Sequence, residues 1–355
     1  MRPSPAAPRL PAPAALLVVL AASTPAGAAE PDVAMGMRLA PSVLQVRATG
    51  GTGLQLGSGV VVARETVVTN CHVTRSAQTV SVVHAGATLP ARAQSADMAH
   101  DLCLLQVPGL AAEAVALGSA SGLVTGRPVL AIGFTGGFGP RISRGRVVAL
   151  HRWDGAHVVQ SSTSFTSGAS GGGLFDADGA LVGVLTFRLR GGEAHYYAAP
   201  VDWLHPRLAP PPRWDDIGPL AGRGFWERRG PAQPMFLRAA ALEHGAQWPA
   251  LARLAAEWAR AAADDPEAPY MLGVAEEAQG RHEQAAAAWN HSLRLDADYH
   301  RSRMRLARLH HRLGREAEAR QALDALTRRE PQLGRELAEE LKSGAPAGPF
   351  PGRRP

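Results

Sequence analysis

A chain of 355 residues, 46% of them apolar, can fill more than one core, which excludes a fibrous or disordered protein and makes two domains the expectation. Its net charge of +6 rests almost wholly on arginine, Lys342 being the sole lysine, and the arginines are scattered without aromatic interleaving. That distribution argues against a nucleic-acid partner.

Residues 1–29 open with Arg2 and Arg9, continue through the apolar stretch AALLVVLAA (14–22) and end in small residues, the pattern of a secretory signal peptide cleaved near Ala28 or Ala29. The stretch is too short to span a bilayer comfortably, so no stable membrane anchor is expected and the mature protein is read as periplasmic or secreted. Residues 30–205 carry ten short β-branched runs bounded by Gly, Pro, Asp or Ser, among them SGVVVA, TVVTN, LCLLQV and ALVGVLTF. Such runs at close spacing predict an antiparallel barrel or sandwich. Residues 206–234 are dense in Pro and Gly and read as a linker between two independent cores. From 235 to 342 the period turns helical. Two segments superimpose at an offset of 34 residues, Gly280-Arg281 on Gly314-Arg315, Ala285 on Ala319 and Trp289 on Leu323, with a weaker third unit at 235–264. This region resembles tetratricopeptide repeats, with a plain helical hairpin as the alternative. The Gly/Pro-rich tail, 343–355, is read as disordered.

Within the β region lies SGASGGGLF (167–175), a hydroxyl in unusually bare backbone. Taken alone it is a tight turn or a nucleophile. Ser170 as a nucleophile needs a base, which VVTNCHVT supplies as His72, and an orienting carboxylate, which HDLCLLQV supplies as Asp101 at the head of an apolar strand. Asp97 is a rival to Asp101 but does not open the apolar run. A structural histidine and a strand-capping aspartate are respectable readings of each residue singly; the three motifs in the order His, Asp, Ser within one β domain point to a triad.

That order, with GSGVVVARETVVTNCHV, HDLCLLQV, AIGFTGGFGPRISRGRVVAL and GASGGGLFDADGALVGVLTF, makes residues 40–205 similar to trypsin-like serine proteases of the HtrA (Deg) type. The resemblance implies an all-β, chymotrypsin-like double barrel, here followed by an all-α repeat domain. It implies His72 as general base, Asp101 as its orienter, Ser170 as nucleophile, the backbone N–H groups of Gly168 and Ser170 as oxyanion hole, and Thr186 as a hydroxyl supporting the aspartate. Ser164 and Phe165 would line the primary pocket, with no acidic residue to receive Arg or Lys, so small or medium apolar side chains are expected there. Arg188 would crowd or charge the extended-substrate groove.

The chain also departs from the pattern. Ala169 precedes the nucleophile where this family usually has asparagine, no cleavage-activation site is present, and helical repeats stand where a PDZ-like domain would follow. Neither metal nor cofactor is called for. Cys71 and Cys103 are either two packed thiols or a disulfide; because they flank His72 and Asp101, and Cys103 shares a strand face with Asp101, a bridge in an oxidising compartment is the expectation. The function expected is an exported serine endopeptidase acting on proteins, with the repeats recruiting a protein substrate or regulator. The alternatives are a protease-fold binding module, latent until a partner orders its oxyanion loop, and an esterase or acyl transferase using the same triad.

Overall fold

The computed structural model describes residues 33–51, 53–136, 139–189, 196–209 and 211–343. The expected signal peptide of 1–29 and the expected disordered tail beyond Ser343 lie outside them. A short helix, α1 (Val33–Leu39), leads into β1 (Val43–Gly50), β2 (Gly53–Ala63), β3 (Thr66–Thr69), β4 (Ala77–His84), β5 (Ala87–Pro90), β6 (Ala93–Asp97) and β7 (Leu102–Gln106), with the one-turn helix α2 (Cys71–Thr74) between β3 and β4. A second set follows: β8 (Pro128–Phe134), β9 (Pro140–Trp153), β10 (Ala156–Ser161), β11 (Gly173–Phe175), β12 (Leu181–Arg188) and β13 (Tyr196–Pro200). The second set closes into a barrel in the order β10-β13-β12-β11-β8-β9. The first is an open, curled sheet whose order, β6-β7-β3-β2-β1-β4-β5, is extended at the β6 edge by a two-residue strand, β14 (Asp215–Asp216). The architecture is thus a chymotrypsin-like pair of β units, one closed and one half-closed.

β12 shows why its sequence is an unbroken apolar run. Val182 and Leu185 point into the closed barrel, whereas Leu181, Val184 and Phe187 belong to the cluster on its other face, so the strand is buried on both sides.

After α3 (His205–Leu208) come α4 (Met235–His244), α5 (Trp248–Ala261), α6 (Glu267–Ala278), α7 (His282–Leu295), α8 (His300–Arg312), α9 (Glu316–Arg329) and α10 (Pro331–Ser343). The 34-residue offset carries α5 onto α7 and α7 onto α9, so the stack has three helical hairpins and a closing helix. The turns inside the hairpins need a left-handed residue. Gly280 (φ +76°) and Gly314 (φ +69°) supply it twice, and Ala246 (φ +51°), one repeat earlier, supplies it at the cost of some strain.

The separate cores read from the sequence are not what the chain builds. One continuous apolar cluster runs from Val158, Val184 and Tyr197 in the barrel through Phe225 to Phe236, Leu254, Trp258 and Trp289 in the helices. Phe236 stacks on His151 of β9 at 4.3 Å, and Glu267 of α6 bonds the same imidazole at 2.8 and 2.9 Å. Further along, Val148 packs in one cluster with Met304, Leu333 and Leu337. The physical reason is that the outer face of the closed barrel is itself apolar, and the inner face of the helix stack covers it. The 206–234 stretch is accordingly no free tether. It runs back across the first sheet as a strap, adding β14 and burying Phe225 completely.

Candidate active site

His72 and Asp101, the expected base and orienter, come from the first sheet. His72 sits on α2, one turn beyond β3, and Asp101 ends the tight turn before β7 in a left-handed conformation, φ +60°. Register brings Thr69 opposite Cys103, and the main chains join through Cys71 N–H donating to the Asp101 carbonyl at 3.3 Å. Cys71 and Cys103 are bridged, with Cα atoms 4.9 Å apart. His72 Nδ1–H donates to Asp101 Oδ2 at 2.6 Å and the His72 backbone N–H to Oδ1 at 2.8 Å, leaving the Nε2 lone pair free to accept a proton. Asp101 is fully buried and the His72 side chain 15% exposed. Asp97, the rival, is engaged elsewhere: its carboxylate takes His100 Nδ1–H at 2.7 Å.

The second barrel contributes Ser170. Positive φ at Gly168 (+97°) and Gly171 (+90°) brackets it, and both sites also lack room for a side chain. A Cβ at Gly168 would lie 2.5 Å from the Phe134 carbonyl oxygen, and one at Gly171 2.0 Å from that of Ser58. The bareness of the motif therefore has two causes, backbone handedness and close approach. The backbone N–H groups of Ala169, Gly171 and Gly172 are spent on the carbonyls of Thr166, Leu185 and Ala169. Among the described residues those of Gly168 and Ser170 have no protein acceptor, which is what donors to a developing oxyanion require.

Ser58, in the Gly-Ser-Gly of β2, locks this turn to the first sheet. Its N–H donates to the Ser170 carbonyl (2.8 Å), its Oγ donates to the Gly168 carbonyl (2.7 Å), and the same Oγ accepts from Phe134 N–H (2.8 Å). Ser58 is fully buried. Its motif was visible in the sequence, but its role spans 110 residues and was not.

Ser170 Oγ donates to the Thr186 carbonyl at 3.2 Å rather than to His72.

Thr186 does not hold the aspartate's carboxylate. Its Oγ1 donates to the Val184 carbonyl (2.8 Å) and accepts from Asn70 Nδ2 (3.1 Å), which in turn donates to the Asp101 main-chain carbonyl (2.9 Å). Besides His72, the donor that reaches the carboxylate is Trp226 of the strap, whose Nε1–H lies 2.9 Å from Asp101 Oδ2. Nothing in the local sequence of Trp226 announces this contact.

Phe165 is 7% exposed and packs at 4.9 Å on Tyr196 within the interior of the closed barrel, while Ser164 is exposed. Arg188 is exposed at the end of β12. No helix among the described residues is long and apolar enough to cross a membrane.

Comparison with known proteins adds the following. Residues 57–184 match the trypsin-like peptidase domain family and residues 277–342 a tetratricopeptide repeat family. A probable periplasmic serine endoprotease DegP-like of Pseudomonas fulva is 34% identical over 151 residues, 39% of this chain and 32% of that protein. The serine protease PepD of Mycobacterium tuberculosis is 30% identical over 187 residues, covering 46% and 40%. The chain thus spans about a third of the length of the first of these relatives and two fifths of the second. Among solved structures, the active form of the M. tuberculosis Rv3671c protease is 24% identical, covering 55% of this chain and 92% of that one with a TM-score of 0.48. The HtrA-type protease AlgW with tripeptide is 29% identical, covering 49% and 61% with a TM-score of 0.45.

Proposed function

From a chain whose residues 57–184 form a trypsin-like peptidase domain of the HtrA type and whose residues 277–342 belong to the tetratricopeptide repeats, we propose an exported serine endopeptidase that cleaves proteins through His72, Asp101 and Ser170. The observation that carries the reading is the pair of unspent N–H groups, Gly168 and Ser170, in the turn that presents the serine, next to an imidazole whose Nδ1 is held by a buried carboxylate.

In this reading Ser170 Oγ attacks the scissile carbonyl carbon as His72 Nε2 takes its proton. The carbonyl oxygen becomes an oxyanion that the two N–H groups receive. Collapse expels the amine, which leaves with the proton from the imidazolium, and a water deprotonated by Nε2 then frees the acyl group from Ser170. Asp101 stays ionised and keeps Nδ1 protonated, so that the acceptor is always Nε2. Ser164 and Phe165 offer no acidic side chain to Arg or Lys, which favours a small or medium apolar side chain before the scissile bond. The repeats recruit a protein substrate or regulator. The periplasm fits the names of the relatives and the leader-like start of the chain.

Fluorophosphonate labelling with casein hydrolysis tests the proposal. The parent protein labels at Ser170 and degrades unfolded casein, and Ser170→Ala does neither. Casein hydrolysis that persists in Ser170→Ala would exclude the triad.

A further inference from the structure

Asp101 is a fully buried carboxylate, and such a group stays ionised only where donors replace the water it has lost. Three donors reach it. Two come from His72, its backbone N–H and Nδ1–H; the third is the Trp226 indole N–H, on the same oxygen that receives Nδ1–H. The hydroxyl expected to serve, Thr186 Oγ1, is turned to the Val184 carbonyl and to Asn70.

The indole is half-buried and held by two rings and by both of its chain neighbours. Its ring stacks on Phe187 with centroids 5.2 Å apart and planes 10° from parallel, and meets the His72 ring edge-on at 5.3 Å. The preceding residue, Phe225, is fully buried against Trp153, with centroids 4.7 Å apart. The following residue, Glu227, takes a two-pronged bond from Arg75 at 2.7 and 2.8 Å, three residues beyond His72. The strap can lie this close because residue 224 is glycine: a Cβ there would be 3.0 Å from Asp101 Cβ. The indoles of Trp258 and Trp289 also find acceptors, but only that of Trp226 bonds the carboxylate oxygen that receives His72 Nδ1–H, and both of its chain neighbours are anchored.

We infer that Trp226, contributed by the strap that follows the two β units, is a positioning residue for the catalytic pair, holding the Asp101 carboxylate in the orientation that keeps His72 Nδ1 protonated and Nε2 aimed at Ser170. The inference rests on the triad proposed above. It makes the active site incomplete without a segment that follows both β units in the chain and leads directly into the helical repeats.

Trp226→Phe keeps the ring and removes the N–H. With the full-length protein and a chromogenic peptide ester, kcat falls about tenfold or more while KM stays within twofold, as loss of one hydrogen bond to a buried charged group predicts. The acid limb of kcat/KM also moves to higher pH, because a carboxylate with one donor fewer presents more of its charge to His72. Loss of packing alone would leave that limb in place. A variant with the parent's kcat and pH profile overturns the inference. A second measurement needs neither turnover nor a strap variant. In Ser170→Ala, the Trp226 indole proton followed by NMR exchanges slowly with water and shifts as His72 titrates; fast exchange and indifference to pH overturn the inference. If the parent fails to label with fluorophosphonate, the triad falls, and the indole measurement still decides where the Trp226 N–H goes.

Discussion

Removal of the Phe225 ring separates a docked strap from a tether. Phe225 is fully buried in a nest of rings, stacked on Trp153 at 4.7 Å and edge-on to Trp203 and Phe187 at 5.7 and 5.9 Å. Phe225→Ala deletes the ring from a nest of large rings borne by the closed barrel and the turn after it, so the full cost of a core Phe→Ala change applies, about 3–5 kcal/mol. Phe225→Leu, which retains most of the apolar volume, costs about 1 kcal/mol. Because the stability of a whole domain is only about 5–15 kcal/mol, the alanine variant loses a large part of its margin. The strap release also withdraws Trp226 from Asp101, so fluorophosphonate labelling of Ser170 slows even at temperatures where the variant remains folded. Guanidinium denaturation followed by far-UV circular dichroism gives the stability change, and labelling at low temperature gives the effect on the site. An alanine variant within 1 kcal/mol of the parent, labelling at the parent's rate, would mean that 206–234 is the flexible linker its composition suggests.

Two further outcomes follow from the geometry. Gly171→Ala forces a side chain into a left-handed position, at about 1–2 kcal/mol, and drives its Cβ to 2.0 Å from the Ser58 carbonyl oxygen. The nucleophile turn must shift, and labelling of Ser170 slows about a hundredfold or more; a parent-like rate would show that the turn can relax without moving Oγ. His100 is held between Asp97 (2.7 Å) and Asp154 (2.8 Å). Burial pushes its pKa down, but the two carboxylates outweigh burial and raise it above the ordinary histidine value. A raised folded-state pKa contributes stability that is complete below about pH 6.5 and is lost as pH rises through the folded value. His100→Gln is therefore less stable than the parent at pH 6, and the gap narrows by pH 9. Equal gaps at the two pH values, read from denaturation midpoints, would remove His100 as an ion-paired group.

Much of this protein was legible along the chain because the features concerned are local. The handedness demanded at Gly168 and Gly171 shows in the residues themselves. The helical period shows in Gly280 and Gly314, each closing a hairpin made of its own neighbours, and the first hairpin was faint because Ala246 takes the position where glycine would have marked it. The motifs around His72, Asp101 and Ser170 are likewise short segments whose backbone is shaped by adjacent residues, and Cys71 and Cys103 sit beside two of them. What the tertiary structure alone decided are meetings across long stretches of chain: Ser58 with Gly168, His151 with Glu267, Trp226 with Asp101. Proline and glycine in 206–234 report which dihedral angles the strap can adopt and nothing about the surface it lies on. That surface, the ring nest of Trp153, Phe187 and Trp203, exists only once the second set of strands has closed into its barrel. Thr186 shows the same limit from the other side: its place on β12 could be read, but the direction of its hydroxyl was settled by Asn70 and the Val184 carbonyl, and the carboxylate was left to an indole 125 residues further along the chain.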